Sequence, residues 1–238
     1  MRIALIGFGK MGKAIEEVAL QRNHEIVLRI GMENLEDFTL ANLQKADVAI
    51  EFTGPHSAYE NITKCLQSGV NVVSGSTGWL SMLEEARQSA IEADAGFLYA
   101  SNFSLGVNLF FALNQYLAKL IAPFSGYEVS LTEIHHTAKL DAPSGTAITL
   151  AEQILPFRSD KTGITLKETE KKDHLYIESK RIDPAPGTHV VRYESEIDTI
   201  CIEHEAHNRK GFAIGAVLAA EYLHGKKGIF TMNDVLGL

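Results

Sequence analysis

The sequence predicts an α/β fold: a doubly wound parallel sheet, then a second, α+β domain carrying a mixed sheet. Short apolar runs alternate with helical patterns over the first hundred residues, as parallel strands joined by crossover helices do. After a long apolar helix, about Leu105 to Ile121, the pattern changes. Tyr127, Val129 and Leu131 alternate with Glu128, Ser130 and Thr132, a half-exposed strand rather than one buried on both faces. Finally, Gly211 to Tyr222 reads as a helix that returns the chain to the first domain. The expected divisions are residues 1–106, 107–209 and 210–238.

Taken in order, Ile3 to Ile6 is an apolar strand, and Gly7, Gly9 and Gly12 after it fit G-x-G-x-x-G. The first glycine permits a tight turn, the second lets backbone approach a pyrophosphate, and the third lets a helix pack on its strand. Met11, Ala14, Ile15, Val18 and Ala19 form one stripe of that helix, whose free N–H groups and positive dipole end favour a phosphate. This strand–turn–helix context makes the glycine pattern a Rossmann-like dinucleotide site rather than a structural turn. Strands follow at Glu25–Ile30, Asp47–Thr53, Asn71–Ser74 and Gly96–Ala100, with helices at Pro55–Ser68 and Trp79–Ala93. In such sheets ligands bind beyond the carboxyl ends of the strands. Phe52-Thr53-Gly54, Gly75-Ser76-Thr77-Gly78 and Ala100-Ser101-Asn102-Phe103 lie there, although each alone could be an ordinary turn. The second domain adds strands at His189–Tyr193 and Ile200–His204, with a turn near Glu196.

Composition bounds the function. The 238 residues are 45% hydrophobic and 22% charged, values of an ordinary globular enzyme. A net charge of −8 argues against nucleic-acid or anionic-membrane partners, and no apolar run reaches spanning length. Two cysteines, Cys65 and Cys201, give neither a disulfide framework nor a metal spacing, so a reducing cytoplasm is expected.

The richest segment is Glu133-Ile134-His135-His136-Thr137-Ala138-Lys139-Leu140-Asp141-Ala142-Pro143-Ser144-Gly145-Thr146-Ala147. Successive strand residues face opposite ways, so His135 and His136 cannot share a site while extended; the strand is expected to end there. Lys139 can converge with His135 from a loop. Asp141, Ser144 and Thr146 are all candidate caps for a helix running to about Leu155, and the N–H groups of Gly145 and Thr146 make a carboxylate or phosphate pocket. Each feature alone is ordinary; beside a dinucleotide fold they describe a site for a small anion that must be protonated. No third metal ligand stands at useful spacing, Glu133 and Asp141 being weak candidates, so no metal is expected.

This segment resembles the signature of the dihydrodipicolinate reductase family, also called 4-hydroxy-tetrahydrodipicolinate reductase. So do Gly7 to Gly12, Gly75 to Gly78, Asn102-Phe103-Ser104 with Gly106-Val107-Asn108, Arg209 with Phe212 to Ala216, and Asp234 to Leu238. The resemblance spans the chain. It implies a nicotinamide-dependent reduction of a cyclic conjugated dicarboxylate in the diaminopimelate route to lysine, by a homotetramer built through the second domains' sheets. It implies His135 and Lys139 as proton donors, and His136, Gly145 and Thr146 as substrate contacts. Cofactor contacts would come from Gly7, Phe8, Gly9, Lys10, Met11, Gly12, Gly75, Ser76, Thr77, Ala100, Ser101, Asn102 and Phe103.

Two stretches depart from the family pattern. Ser179-Lys180-Arg181 is followed by Ile182-Asp183-Pro184, and little chain lies between Ile30 and Asp47. The shortened loop is the one that selects the cofactor: an acid accepts ribose hydroxyls of NADH, whereas a cation holds the extra phosphate of NADPH. Glu33 is the candidate acid, Arg29 and Lys10 the candidate cations, and use of both cofactors is expected. A thiol-dependent aldehyde dehydrogenase is disfavoured by the mid-helix and strand settings of Cys65 and Cys201. A cofactor-sensing module without turnover would have no use for His135 and Lys139.

Overall fold

The computed structural model describes residues 1–167, 173–208 and 210–238. The chain divides into two compact units, residues 1–105 with 210–238, and residues 106–209. Arg209, part of the family-like stretch before Phe212, lies outside the described residues.

In chain order the first unit contains β1 (Arg2–Ile6), α1 (Lys10–Gln21), β2 (Glu25–Ile30), α2 (Leu40–Leu43), β3 (Val48–Glu51), α3 (Ala58–Gln67), β4 (Asn71–Ser74), α4 (Leu83–Glu92) and β5 (Gly96–Tyr99). The second contains all but the first residue of α5 (Leu105–Ile121), then β6 (Glu128–His135), α6 (Gly145–Ile154), β7 (Gly163–Thr165), β8 (His174–Arg181), β9 (Thr188–Glu194) and β10 (Thr199–Glu205). The first unit then resumes with α7 (Lys210–Leu223), β11 (Gly228–Phe230) and α8 (Met232–Leu236).

The first unit's sheet is parallel throughout, in the order β11-β5-β4-β3-β1-β2. Successive strand residues feed opposite faces, which is why β1 reads as a continuous apolar run. Ala4 and Ile6 join Ala49, Val72 and Phe97 beneath Ile62 and Leu66 of α3 and Ala86 and Ala90 of α4. Ile3 and Leu5 join Val48, Ile50 and Val73 against Ile15 and Val18 of α1 and Ala216, Val217 and Ala220 of α7. Chain order reverses on either side of β1, whose neighbours are β2 and β3, so a ligand crevice opens at the carboxyl ends of β1 and β3. The strand expected over Asp47–Thr53 is shorter, ending at Glu51, because Phe52, Thr53 and Gly54 turn away into that crevice edge.

The second unit's sheet is mixed, in the order β10-β9-β6-β8-β7. β6 pairs parallel with β8 and antiparallel with β9. One face packs Val129, Leu131, Ile177 and Val191 against Phe110 and Ile121 of α5 and Leu150 and Ile154 of α6. That face also receives Glu133 and His135, which continue the same alternation along β6.

Candidate active site

In the first unit, Gly7 has φ +99°, and an added Cβ would lie 2.1 Å from the Phe52 carbonyl oxygen. At Gly12 a Cβ would lie 2.3 Å from the Gly7 carbonyl oxygen, so α1 packs directly on the turn. Gly9 differs: a Cβ there meets no protein atom within 4 Å. It is the N-cap of α1 and brings no side chain to the helix amides, which suits a pyrophosphate in that position. Phe8 donates its amide to the Ile30 carbonyl (2.9 Å), Lys10 is exposed, and Met11 is half-buried against the core.

Glu33 stands exposed in the turn after β2, whose shape is set by Asn34: its Oδ1 accepts from the Gly31 amide (2.8 Å) and its Nδ2 donates to the Arg29 carbonyl (2.8 Å). Arg29 is engaged with Glu16 (2.5 Å), which competes with any phosphate for its guanidinium. At the end of β4, a Cβ on Gly75 would lie 2.2 Å from the Phe52 ring. Ser76 is buried with its hydroxyl on Glu51 (2.7 Å) and its carbonyl accepting from Trp79 Nε1 (2.7 Å), so its polar atoms face inward. Thr77 and Ser101 are exposed, and Ala100 and Asn102 are half-buried. Phe103 is buried, its ring 5.6 Å from that of Phe52.

In the second unit β6 ends at His135, as its sequence suggests, so His135 points under the helices and His136 begins the following loop. The loop is pinned from β8. Arg181 Nε donates to the Lys139 carbonyl (3.2 Å) and Nη2 to the Asp141 carbonyl (2.6 Å). Asp183, in the stretch that departs from the family pattern, accepts the Thr137 amide (3.1 Å) and hydroxyl (2.5 Å). Lys139 Nζ lies 2.7 Å from Asp141. Ser144 is the helix cap, its Oγ accepting from the Ala147 amide (3.2 Å). Gly145 and Thr146 are thus the first two residues of α6, with amides that have no partner inside the helix. A Cβ on Gly145 would meet nothing, so this end is open.

Glu133 ties these parts together. Fully buried, its carboxylate accepts from the Ser144 amide (3.0 Å), lies 3.3 Å from His135 Nε2 and 3.6 Å from Arg181 Nη1. Burial opposes its charge, but the Ser144 and Ser179 hydroxyls and the Ser144 amide outweigh that and hold its pKa below the ordinary value. Burial depresses the His135 pKa; Glu133 opposes this, whereas Lys139 and Arg181 add to it. A further neighbour is His189, 3.8 Å from the same carboxylate, with its Nε2 3.2 Å from Ser144 Oγ and its ring edge-on to His135 at 5.1 Å. Burial, and then His135, push the His189 pKa down to about 4, so it is neutral at ordinary pH.

The sequence offers Glu133 only as a weak third ligand beside the His135–His136 pair; the fold instead gathers donor atoms of Glu133, His135 and His189 within 4.8 Å of one another, without His136. His189 is remote in sequence and arrives through the β6–β9 register, which sets it opposite Glu133. The Arg181 guanidinium and the Ser144 amide already occupy the carboxylate, which favours acid–base chemistry over cation binding at this trio.

Comparison with known proteins covers both units. The dihydrodipicolinate reductase N-terminus family matches residues 1–103, and the dihydrodipicolinate reductase C-terminus family matches residues 106–236. A 4-hydroxy-tetrahydrodipicolinate reductase of Christiangramia forsetii is 51% identical over 236 residues, covering 99% of this chain and 98% of its own. One of Ralstonia nicotianae is 38% identical over 208 residues, covering 82% and 76%. Among solved structures, a dipicolinate-bound dihydrodipicolinate reductase from Paenisporosarcina sp. TG-14 aligns with TM-score 0.78 at 25% identity, covering 98% of each chain. With both halves matched and the likeness running end to end, the chain belongs to the dihydrodipicolinate reductase family.

Proposed function

We propose that this chain is an NAD(P)H-dependent 4-hydroxy-tetrahydrodipicolinate reductase, producing tetrahydrodipicolinate in the diaminopimelate route to lysine. Residues 1–105 and 210–238 take the cofactor, and residues 106–209 take the dicarboxylate. The observation that carries this reading is the Glu133 carboxylate, which joins His135 to the N-terminus of α6 within one short segment.

Gly7 to Gly12 would hold the nicotinamide cofactor, which when bound would supply the hydride for the conjugated ring left once the 4-hydroxyl departs as water. The chain supplies the matching proton and the anion contacts. The amides of Gly145 and Thr146, at the positive end of α6, hold one carboxylate, and His136 contacts the same substrate. His135 delivers a proton: burial disfavours its imidazolium in the free enzyme, and Glu133 beside Nε2 together with a bound dianion favour it. Gly187, at φ +151°, leaves room for its ring, since a Cβ there would sit 3.1 Å from His135 Cε1. Lys139 is the second donor, and an arriving dianion competes with Asp141 for its ammonium.

The direct test follows loss of nicotinamide absorbance with the condensation product of pyruvate and aspartate semialdehyde, using NADH and NADPH in turn. Oxidation that depends on this substrate supports the proposal, and its absence with both cofactors rejects it. Both cofactors are expected to work. Glu33→Ala should raise the KM for NADH about 3- to 10-fold, the worth of a lost ribose hydrogen bond, while the KM for NADPH stays within about twofold. Equal effects on both would remove Glu33 from the ribose.

A homotetramer in the cytoplasm completes the reading. The second unit's sheet is half-exposed on alternate residues of β6 and largely exposed along β10, where Ile200 is open, which supports burial of the sheets against other copies. Sedimentation should give four chains per particle; a monomer at micromolar concentration would discard this part. Two free thiols, Cys65 and Cys201, suit a reducing compartment.

A further inference from the structure

A carboxylate outside the proton-transfer segment is equally buried. Glu51 closes β3 at zero exposure, in register with Ile6 of β1 on one side and Ser74 of β4 on the other. Its Oε1 accepts from the Thr53 amide (2.8 Å), the Thr53 hydroxyl (2.5 Å) and the Ser76 hydroxyl (2.7 Å). Its Oε2 accepts from the Ser74 hydroxyl (2.6 Å). An apolar residue would pack this strand position at less cost, because burying a carboxylate is unfavourable unless it is hydrogen-bonded. Three of the four donor groups belong to the turns after β3 and β4. The network therefore serves the turns rather than the sheet.

The consequences extend beyond those two turns. The Thr53 hydroxyl also accepts from Ser57 (3.0 Å) and Asn61 (3.2 Å), which bind the start of α3 to the same point. Glu51 contributes its carbonyl to the Gly75 amide (3.0 Å), and the Ser74 carbonyl accepts from the Ala100 amide (3.2 Å). Phe52, next in the chain, fills the space above Gly75 and lies against Phe103. The turns after β3 and β4 thus hang on one side chain, and the turn after β5 joins them through the Ser74 carbonyl and the Phe52–Phe103 contact.

We propose that Glu51 is a positioning residue for the cofactor, fixing from beneath the turns around Thr53 and Gly75–Thr77. This rests on the cofactor reading given above. Fully buried, Glu51 is out of a cofactor's reach and acts through the height and spacing of the turns' backbone groups. Ser76 then serves the site through its inward hydroxyl, as a tie between turns.

The test uses the full-length enzyme with Glu51→Gln, which keeps the shape but loses the charge that strengthens all four bonds. Ser74→Ala, which removes a single donor, is the milder second variant should the first fail to fold. The KM for NAD(P)H should rise about 3- to 10-fold in Glu51→Gln and less in Ser74→Ala, with kcat within about twofold, as expected for weakened uniform binding. Direct NADH binding, followed by nicotinamide fluorescence, should weaken in parallel, and Glu51→Asp should recover part of the loss. A lowered Tm with unchanged KM and unchanged NADH binding would overturn the proposal and make the network purely structural. A fall in kcat alone would overturn it too. Either result leaves the reductase reading intact, because that reading stands or falls on wild-type turnover.

Discussion

Replacing His135 with alanine should lower kcat by about 10²- to 10⁴-fold, the usual worth of a positioned general acid, while the KM for NAD(P)H stays within about twofold. Lys139→Ala should lower kcat in the same sense. Steady-state kinetics on both variants checks this, and equal loss of cofactor binding in the two would count against their assignment as proton donors. The pH profile gives an independent reading. A donor must be protonated, so activity falls as pH rises through the His135 pKa. In the free enzyme that pKa lies below the ordinary histidine value, because burial outweighs Glu133 and the Lys139 and Arg181 charges add to the depression. A bound dianion favours the imidazolium and raises it. The falling limb of kcat/KM, which reports free enzyme, should therefore lie at lower pH than that of kcat, which reports the complex. Glu133→Gln removes the group that opposes the depression and should move the kcat/KM limb lower still. An unmoved limb in Glu133→Gln, with only a lower Tm, would deny Glu133 any part in the proton's energetics.

What the sequence made legible is what short-range pattern encodes. The alternation of buried runs and helical stripes predicts the parallel sheet, and the parity of strand residues separates His135 from His136. The strand–turn–helix around Gly7 to Gly12 is legible because its strand and helix adjoin the glycines. What stays hidden depends on register between remote strands. His189 meets Glu133 only because β9 pairs antiparallel with β6. Arg181 reaches the Lys139–Asp141 loop only because β8 runs parallel to β6 and ends beside His135. Glu51 reads as one polar residue in an apolar run, since its donors come from turns beyond two different strands. The strand at Gly228–Phe230 is too short to carry a period, and pairing with β5 alone defines it.

The second large effect concerns Gly7, and its meaning comes from the contrast with Gly9. Gly7→Ala should cost about 3 kcal/mol or more of stability, because it combines a left-handed φ with a backbone collision no rotamer can relieve. The new Cβ would stand 2.1 Å from the Phe52 carbonyl, and Phe52 cannot retreat while its amide donates to Ile6 (2.8 Å). Nor can Gly7 move freely, since its own amide and that of Phe8 both donate to the Ile30 carbonyl. Thermal denaturation should show a Tm drop of about 10 °C or an insoluble product, with NAD(P)H binding lost alongside. Gly9→Ala should separate the two losses. Its φ of −88° suits alanine, and its Cβ meets no protein atom, so Tm should change by only about 1–2 °C. The methyl group nonetheless projects at the N-terminus of α1, where a pyrophosphate must approach the backbone, so the KM for NAD(P)H should rise about tenfold or more. A Gly9→Ala enzyme that keeps both Tm and KM would mean that the open face of this turn receives no phosphate, and the cofactor would have to be sought at another edge of the sheet.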